Sequence, residues 1–116
     1  MSDIKALQEK IIKFRDQRDW KKFHNPKDSS IALSLEAAEV LEHFRWQNKE
    51  EMEEYVKTHK KEIGDELSDV LFWVLLMSHD LKIDVIKAFN KKMKENKMKY
   101  PVKKVKGRHN KYTDYE

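Results

Sequence analysis

Residues 63–77 read IGDELSDVLFWVLLM, a stretch that begins acidic and becomes almost wholly apolar. At about 100° per residue, a helix places Glu66, Asp69 and Trp73 on one stripe, and apolar side chains from Val70 onward cover its other sides. A helix that is apolar all round is buried on every side. Carboxylates that enter such a helix are costly to desolvate unless a cation holds them. The stretch therefore predicts a buried central helix with a charged site at its start.

The composition predicts long helices joined by short links. Of the 116 residues 40% are charged, and only 2 glycines and 2 prolines are present to make turns. This size is typical of one domain. The absence of cysteine excludes disulfides and thiolate sites and allows a reducing compartment. The start of the chain has no apolar signal segment, and the longest apolar run, residues 70–77, is too short to cross a bilayer. We therefore expect a cytoplasmic protein without a membrane partner.

The net charge of +4 hides two regions of opposite sign. Residues 36–69 contain eleven acids and five bases, whereas residues 87–111 contain eleven bases and one acid. Most such charges belong to solvated faces. An acidic metal-binding centre, together with a basic region that receives phosphates, would show the same division. The basic region lacks the regular aromatic residues of a base-stacking surface, so the sequence disfavours a nucleic acid partner.

Apolar side chains recur at helical spacing in four segments, and a capping box opens a short charged segment between the second and third of them. They predict helices over residues 3–18, from a cap at Asp28, Ser29 or Ser30 to Trp46, over 48–57, over 60–81 and over 84–98. The residues expected on the inner sides are Ile4, Leu7, Ile11 and Phe14, then Leu33, Ala37, Val40 and Phe44, and finally Ile86, Phe89 and Met93. Asn48 and Glu51 have the spacing of a capping box, and Asp84 can cap the last helix.

The predicted fold class is all-α, because no segment alternates as a strand does and no internal repeat is present. We expect a bundle of four to five helices in residues 1–100, completed by oligomerisation, and an extended basic tail over residues 101–116. The connection over residues 19–26 is unusually aromatic, and Pro26 keeps Asn25 out of the helical region. Trp20 in this connection can either plug the end of the bundle or stack on a base, and residue type alone does not separate these roles.

Two of the predicted helices each carry a pair of acids three residues apart. Glu36 and Glu39 form one pair, Glu66 and Asp69 form the other, and residues at this spacing are neighbours on one helix face. If the two faces oppose each other, four carboxylates converge and require divalent cations. Oxygen ligands without histidine or cysteine suit Mg²⁺ or Mn²⁺, and Mg²⁺ commonly takes substrate phosphates as further ligands. The pattern is therefore typical of a site for a polyphosphate.

The same acid pairs are also compatible with a solvated helix face or with a di-iron centre. Such pairs occur on many charged helices as solvated faces. A di-iron carboxylate bundle would also collect acids, but it needs glutamate three residues before histidine on two helices. None of the five histidines has a glutamate at that position. The di-iron hypothesis is therefore weak, and the acids alone leave metal site and solvated face undecided.

The sequence SLEAAE at residues 34–39, followed by ELSD at 66–69, resembles the E-x-x-E, spacer, E-x-x-D signature of the MazG-like, all-α nucleoside triphosphate pyrophosphohydrolases. Further similarity to the dCTP pyrophosphatase branch lies, in order, in RDW at 18–20, FH at 23–24, Pro26, FRW at 44–46, DVL at 69–71, KM at 92–93, YP at 100–101 and KYT at 111–113. The resemblance thus covers most of residues 18–113.

The resemblance implies that four carboxylates are magnesium ligands and part of the catalytic centre: Glu36, Glu39, Glu66 and Asp69. It implies a pocket for base and sugar lined by Trp20, His24 and Trp46. Lys92 and Asn96 fall where such enzymes approach the nucleotide. Trp73 stands where the branch often has tyrosine, so stacking can replace a hydrogen bond, and Ile11 stands where some relatives have histidine. These departures leave the base preference open.

The implied reaction is hydrolysis of a (deoxy)nucleoside triphosphate, dCTP or a modified dCTP, to the monophosphate and pyrophosphate. Mg²⁺ would neutralise charge on the phosphates while water attacks the α-phosphorus. Glu39 is the candidate to accept the proton of that water. Stacking holds a base but discriminates poorly, so polar groups such as His24 and Asn96 would select it. The alternatives are the same reaction on other or broader nucleotides, and a non-catalytic helical module that binds nucleotide or nucleic acid.

A homo-oligomer is expected because one chain of four or five helices hardly covers the apolar central helix on all sides. The family resemblance implies dimers that pair into tetramers, with sites near the subunit interfaces. Trp46 or the basic tail could then serve the site of a neighbouring subunit.

Overall fold

The computed structural model describes residues 3–109, which are all-α. The helices are α1 Asp3–Gln17, α2 Pro26–Glu42, α3 Lys49–Asp80, α4 Val85–Lys99 and the single turn α5 Val102–Val105, with a 3₁₀ turn at Lys21–Phe23. Over the described range no residue is in a strand, and the predicted fold class is confirmed. Among these helices, a membrane-spanning segment is not found.

The chain divides into two compact units after Lys82. Over the described residues, the first unit contains α1, α2 and α3, and the second contains α4 and α5. The division into a domain over 1–100 and a tail over 101–116 stays a prediction, and residues 110–116 lie outside the described range. Within residues 102–105 the predicted extended tail is wrong, because Pro101 leads into one helical turn that the Lys106 amide closes on the Val102 carbonyl.

In the first unit α3 is the element on which α1 and α2 both pack. The Gln8 side-chain amide on α1 donates to the Leu75 carbonyl at 2.8 Å and to the Ser78 hydroxyl at 3.1 Å. Leu75 and Leu76 are the buried apolar residues among those described, at 1% and 0% exposure. The core therefore lies along the C-terminal part of α3, where the sequence is most apolar.

α2 begins earlier than predicted. Asn25 is extended and its side chain accepts a hydrogen bond from the Asp28 amide, so Asn25 is the cap and Pro26 is the first helical residue. The predicted cap at residues 28–30 is wrong because proline, which lacks an amide hydrogen, suits the first turn where that hydrogen would be unpaired. α2 also ends at Glu42, four residues before the predicted Trp46, and residues 43–46 form turns.

α3 joins two helices that the sequence separates. Its capping box is as predicted, with Asn48 accepting from the Glu51 amide and Glu51 accepting from the Asn48 amide. The helix does not stop near residue 57 but bends at His59, whose φ of −123° and ψ of 22° are not helical. At this bend the His59 ring nitrogen lies 3.0 Å from the Tyr55 carbonyl.

Many predicted inner residues are not fully covered in the single chain. Leu67 and Leu71 of α3 remain 54% and 38% exposed, so one chain does not cover the central helix on every side, as expected. Residues expected on the inner sides of α1 and α4 are also partly exposed: Ile4 36%, Leu7 38%, Phe14 40%, Phe89 64% and Met93 41%. Within the described part of the first unit, α3 packs mainly on α1 and α2, which leaves Leu67 and Leu71 accessible.

Candidate metal and nucleotide site

Glu36, Glu39 and Asp69 form a carboxylate cluster between α2 and α3. One oxygen of each lies within 4.8 Å of the others. Glu36 and Glu39 are one turn apart on α2, and the packing of α2 on α3 brings them to Asp69. Glu39 and Asp69 are exposed, whereas Glu36 is half-buried. Three of the four acids that the resemblance marks as ligands are thus neighbours across two helices.

The Glu36 carboxyl group shows the electrostatic repulsion within this cluster. Its Oε2 atom is buried and has no hydrogen-bond partner among residues 3–109. Burial raises the pKa of Glu36 above 4.5, and Glu39, Asp69 and Glu66 raise it further by repulsion. A hydrogen bond with Glu39 also favours the protonated form. The cluster is therefore short of positive charge.

Glu66 is close to this cluster but has its own partner. It lies three residues before Asp69 on the same face of α3, and its charge helps to raise the pKa of Glu36. The Glu66 Oε2 atom is hydrogen-bonded to Nε2 of His43, and Nδ1 of His43 is hydrogen-bonded to the Tyr55 hydroxyl. Glu66 is not one of the three acids whose oxygens lie together. Its predicted role as a ligand stays a prediction.

His24 and Trp73 lie beside each other at 5.3 Å between ring centroids, in an edge-on arrangement. Trp73 is one turn beyond Asp69 on α3, so the pair lies next to the carboxylates. Nη1 of Arg15 is 3.5 Å from Nδ1 of His24 and 2.6 Å from Oδ2 of Asp80. Burial and the Arg15 charge lower the pKa of His24 below 6.5, partly offset by Asp80. The His24 ring is therefore held in its neutral form at neutral pH.

The other two predicted aromatic residues are more exposed. Trp20 is 44% exposed and meets the Phe14 ring edge-on at 5.7 Å, and Phe14 contacts Phe72 at 6.3 Å. Trp20 is therefore linked through the Phe14 ring to Phe72, the residue before Trp73. Trp46 is 80% exposed in the turn after α2, with the Arg45 guanidinium 4.3 Å above its ring. The structure does not bring Trp46 against His24 or Trp73 through any aromatic contact among the described residues.

Lys92 and Asn96 lie on α4, in the second unit. The Lys92 ammonium is 3.6 Å from the Glu95 carboxylate, and the Asn96 carbonyl accepts from the Tyr100 amide at 2.9 Å. These contacts are local to the helix and its end. Their approach to a nucleotide stays a prediction.

His43, Arg15 and Tyr55 contribute to the site region although sequence reasoning assigned them no role. His43 follows Glu36 and Glu39 at positions i+7 and i+4, and so continues their face of α2. Arg15 follows Ile11 by four residues and continues the apolar face of α1, which agrees with its 1% exposure. Nothing in the spacing marks Tyr55, because its partner His43 belongs to a different part of the chain.

The chemistry of the cluster fits a hard divalent cation. All the ligand atoms would be carboxylate oxygens, which Mg²⁺ and Mn²⁺ prefer. The unpartnered Glu36 oxygen and the three mutually repelling acids are what a cation would satisfy. A groove of about 680 Å³ along α1, lined by Gln8, Ile12 and His79 among others, contains none of the predicted site residues. The candidate site is therefore distinguished by the chemistry of its acids.

Comparison with known proteins agrees with the geometry. The chain is 32% identical to dCTP pyrophosphatase 1 of Bos taurus over 98% of its length, and 29% identical to dCTP pyrophosphatase 1 of Homo sapiens. It spans about two thirds of these relatives, 67% and 66%. The crystal structure of a pyrophosphatase from Archaeoglobus fulgidus superimposes with a TM-score of 0.81 at 35% identity, covering 87% of this chain and 94% of that one.

The model of the MazG-like family matches residues 31–115, which include all four predicted metal ligands and most of the chain. These relatives and the structural neighbour are all named pyrophosphatases. Sequence, fold and family model agree, and the chain belongs to the MazG-like family.

Proposed function

We propose that this protein is a divalent-cation-dependent nucleotide pyrophosphohydrolase that cleaves a (deoxy)nucleoside triphosphate to the monophosphate and pyrophosphate. The preferred substrate that we propose is dCTP or a modified dCTP, and the physiological role is removal of unwanted nucleotides from the pool. The observation that carries the proposal is the cluster of Glu36, Glu39 and Asp69, with oxygens within 4.8 Å of one another on two different helices.

The coarser part of this proposal rests on the family. The chain is an enzyme that hydrolyses phosphoric anhydride bonds, as the family match and the pyrophosphatase relatives support. A nucleotide is accordingly the substrate class. The finer parts, which are the ion, the base, the oligomer and a cytoplasmic location, are our proposals.

The cation would be held by Glu36, Glu39 and Asp69, with Glu66 as the fourth ligand. Mg²⁺ is proposed, with Mn²⁺ as a substitute, because the donor atoms are all carboxylate oxygens. When bound, the ion supplies positive charge that neutralises the triphosphate and makes a nearby water molecule more acidic. A bound cation would also replace the proton that the crowded acids favour on Glu36.

Glu39 is the proposed proton acceptor for the attacking water. It belongs to the carboxylate cluster yet is exposed, so water can reach its oxygens. Glu36 is less suited, because one of its oxygens is buried. The proton would pass to the Glu39 carboxylate as the oxygen of water bonds to the α-phosphorus, and pyrophosphate would leave.

The base would lie against Trp73 and His24, one helical turn from Asp69. A neutral His24 offers one donor and one acceptor, which reads the edge of a base and adds no charge. Trp20, Trp46, Lys92 and Asn96 are proposed as further contacts with the nucleotide. Stacking on an aromatic side chain is worth about 1–3 kcal/mol per base, so His24 and Asn96 would carry the discrimination.

We also propose a dimer or tetramer. Ile31 and Leu35 lie one turn apart on α2 and are 47% and 61% exposed, and Leu67 and Leu71 repeat this on α3. Apolar pairs of this kind are suited to a second copy of the chain. Trp46, which is 80% exposed, could then reach the site of a neighbouring subunit.

The experiment that tests the function is incubation of the full chain with Mg²⁺ and a panel of natural, methylated and oxidised nucleoside triphosphates, with all products identified. We expect monophosphate and pyrophosphate, fastest for dCTP or a modified dCTP. Glu39→Gln should lower kcat by about 10²–10⁴-fold, and Asp69→Asn should abolish turnover. Glu53→Gln changes an exposed acid outside the cluster and is the matched control.

Two alternative functions give different results in this assay. A broader pyrophosphohydrolase would release pyrophosphate from several nucleotides at similar rates. A non-catalytic binding module would return the nucleotide intact, with binding that depends mainly on salt. Release of orthophosphate from the wild type would contradict the proposed reaction.

A further inference from the structure

Glu66 is a predicted ligand whose carboxylate is held by a histidine side chain. Its Oε2 atom accepts a hydrogen bond from Nε2 of His43. The side chains of His43 and Glu66 are only 13% and 25% exposed, so water competes weakly for this bond. Exposed ion pairs contribute little, but a desolvated hydrogen bond to a carboxylate fixes its orientation.

The Glu66 carboxylate decides which nitrogen of His43 carries the hydrogen between them. An ionised carboxylate only accepts, so the imidazole donates to Glu66 through Nε2. With hydrogen on Nε2 alone, Nδ1 is an acceptor to which the Tyr55 hydroxyl can donate. In that tautomer the hydrogen bonds run from Tyr55 to His43 to Glu66.

The tyrosine is itself fixed by its neighbours. His59 stacks on the Tyr55 ring at 3.8 Å with an interplanar angle of 1°, and Phe44 meets it edge-on at 5.9 Å. The Gln47 side chain donates to the His43 carbonyl at 2.8 Å, which ties down the end of α2. The part of α3 before the kink at His59 therefore contacts the end of α2. These contacts hold the Tyr55 hydroxyl in place.

We propose that His43, hydrogen-bonded to both Tyr55 and Glu66, is a positioning residue that aims the Glu66 carboxylate at the cation held by Glu36, Glu39 and Asp69. His43 occupies Oε2 and leaves Oε1 for the ion. Glu66 lies three residues before Asp69 on α3, so the two carboxylates share one face of that helix. Hydrogen bonds that orient metal ligands typically change metal affinity by about 10–100-fold. This inference rests on the proposed function, because it needs the acids to bind a cation.

The test measures Mn²⁺ binding to the full chain without nucleotide, from the electron paramagnetic resonance signal of free Mn²⁺. His43→Leu should weaken binding by about 10–100-fold. His43→Gln should recover most of this loss, because its amide can donate from nearly the same place as Nε2. Tyr55→Phe should cause a smaller loss. His79→Gln replaces an exposed histidine of α3 and should leave affinity unchanged.

A second measurement reads the tautomer directly. Nitrogen-15 NMR of the metal-free wild type should show His43 with hydrogen on Nε2, and Tyr55→Phe should keep it there, because the Glu66 carboxylate still accepts from Nε2. This readout does not depend on catalysis or on metal, and it remains decisive if His43→Leu does not fold.

The outcomes separate this inference from the function itself. If the wild type binds Mn²⁺ and His43→Leu binds it equally well, the positioning role is wrong while the proposed function stands. Equal weakening by His43→Gln and His43→Leu, or hydrogen on Nδ1 in the wild type, would also overturn the positioning role. If the wild type binds no Mn²⁺, the proposed metal site is wrong and this inference falls with it.

Discussion

Glu36 has a buried oxygen, no partner for it within residues 3–109, and three acids around it. Burial, followed by repulsion from Glu39, raises its pKa above 4.5 in the folded protein. The folded state therefore binds the proton more tightly than the unfolded state. By linkage, the stabilising contribution of the Glu36 proton in the metal-free protein is fully present below pH 4.5 and is lost as pH rises through the raised pKa of the folded state.

Glu36→Gln should remove this loss of stability. In a chelator at neutral pH, the variant should unfold at a higher temperature than the wild type, and the difference should vanish below pH 4.5. Glu53→Gln, at an exposed position, should change the midpoint little at either pH. Added Mg²⁺ should stabilise the wild type but not Glu36→Gln. A metal-free variant less stable than the wild type at neutral pH would show that Glu36 is not repelled by its neighbours.

Arg15 is a buried cation that contacts His24, a predicted pocket residue, and Asp80. It is 1% exposed and pairs with Asp80, which is 24% exposed, at 2.6 Å. Breaking a buried pair by removing one partner typically costs about 3–5 kcal/mol, so we expect Arg15→Met to cost about 3 kcal/mol because Asp80 keeps some water. Urea unfolding measures this cost. Arg18→Met, at an exposed position beside Phe14, should cost less than about 1 kcal/mol.

The same substitution should change the titration of His24. Arg15 lowers the pKa of His24, so Arg15→Met should raise it, and the remaining Asp80 charge should raise it further. Proton NMR of the His24 ring measures this shift. An unchanged pKa in a folded variant would mean that Arg15 does not act on the ring.

At the scale of elements, the stability of α3 depends on its N-terminal cap as well as on its apolar C-terminal part. The capping box of Asn48 and Glu51 satisfies amides that have no partner inside the helix. Asn48→Ala should destabilise the first unit by about 1 kcal/mol, as measured by denaturant unfolding. Lys49→Ala, at the adjacent exposed position, should have little effect. If both variants behave alike, the box contributes nothing to stability.

The bend in α3 lies between Tyr55 and Glu66, the two residues of this helix that His43 connects. A straight helix would keep its amide ladder at His59, whereas the observed ring contact with the Tyr55 carbonyl accompanies the bend. Tyr55 lies just before the bend and Glu66 lies two turns after it on the same helix. One helix thereby supplies both ends of the hydrogen-bond chain through His43.

At the scale of the whole molecule, exposed apolar pairs on α2 and α3 predict self-association. Each leucine that moves from water into an interface contributes up to about 1.5–3 kcal/mol. Light scattering should give a mass of two or four times 14.1 kDa. The double variant Leu35→Glu with Leu67→Glu should give a smaller assembly. Gln17→Glu adds the same type of charge at an exposed position of α1 and should not change the mass. A monomeric wild type would contradict the prediction.

The sequence by itself determined the features that depend on neighbours along the chain. The all-α class, the capping box at Asn48 and the cap at Asp84 were predicted correctly, because caps and helical periods need only residues within a turn or two. The spacing of the acids likewise marked Glu36 with Glu39 and Glu66 with Asp69 as candidate metal ligands. The resemblance identified the family.

Tertiary structure alone decided which side chains meet across helices. Packing of α2 on α3 joined Glu36 and Glu39 to Asp69 and placed His43 against Glu66. Packing of α1 on α3 paired Arg15 with Asp80. Helical period fixes the direction of a side chain on its own helix, but its partner depends on how two helices cross, which no local pattern encodes.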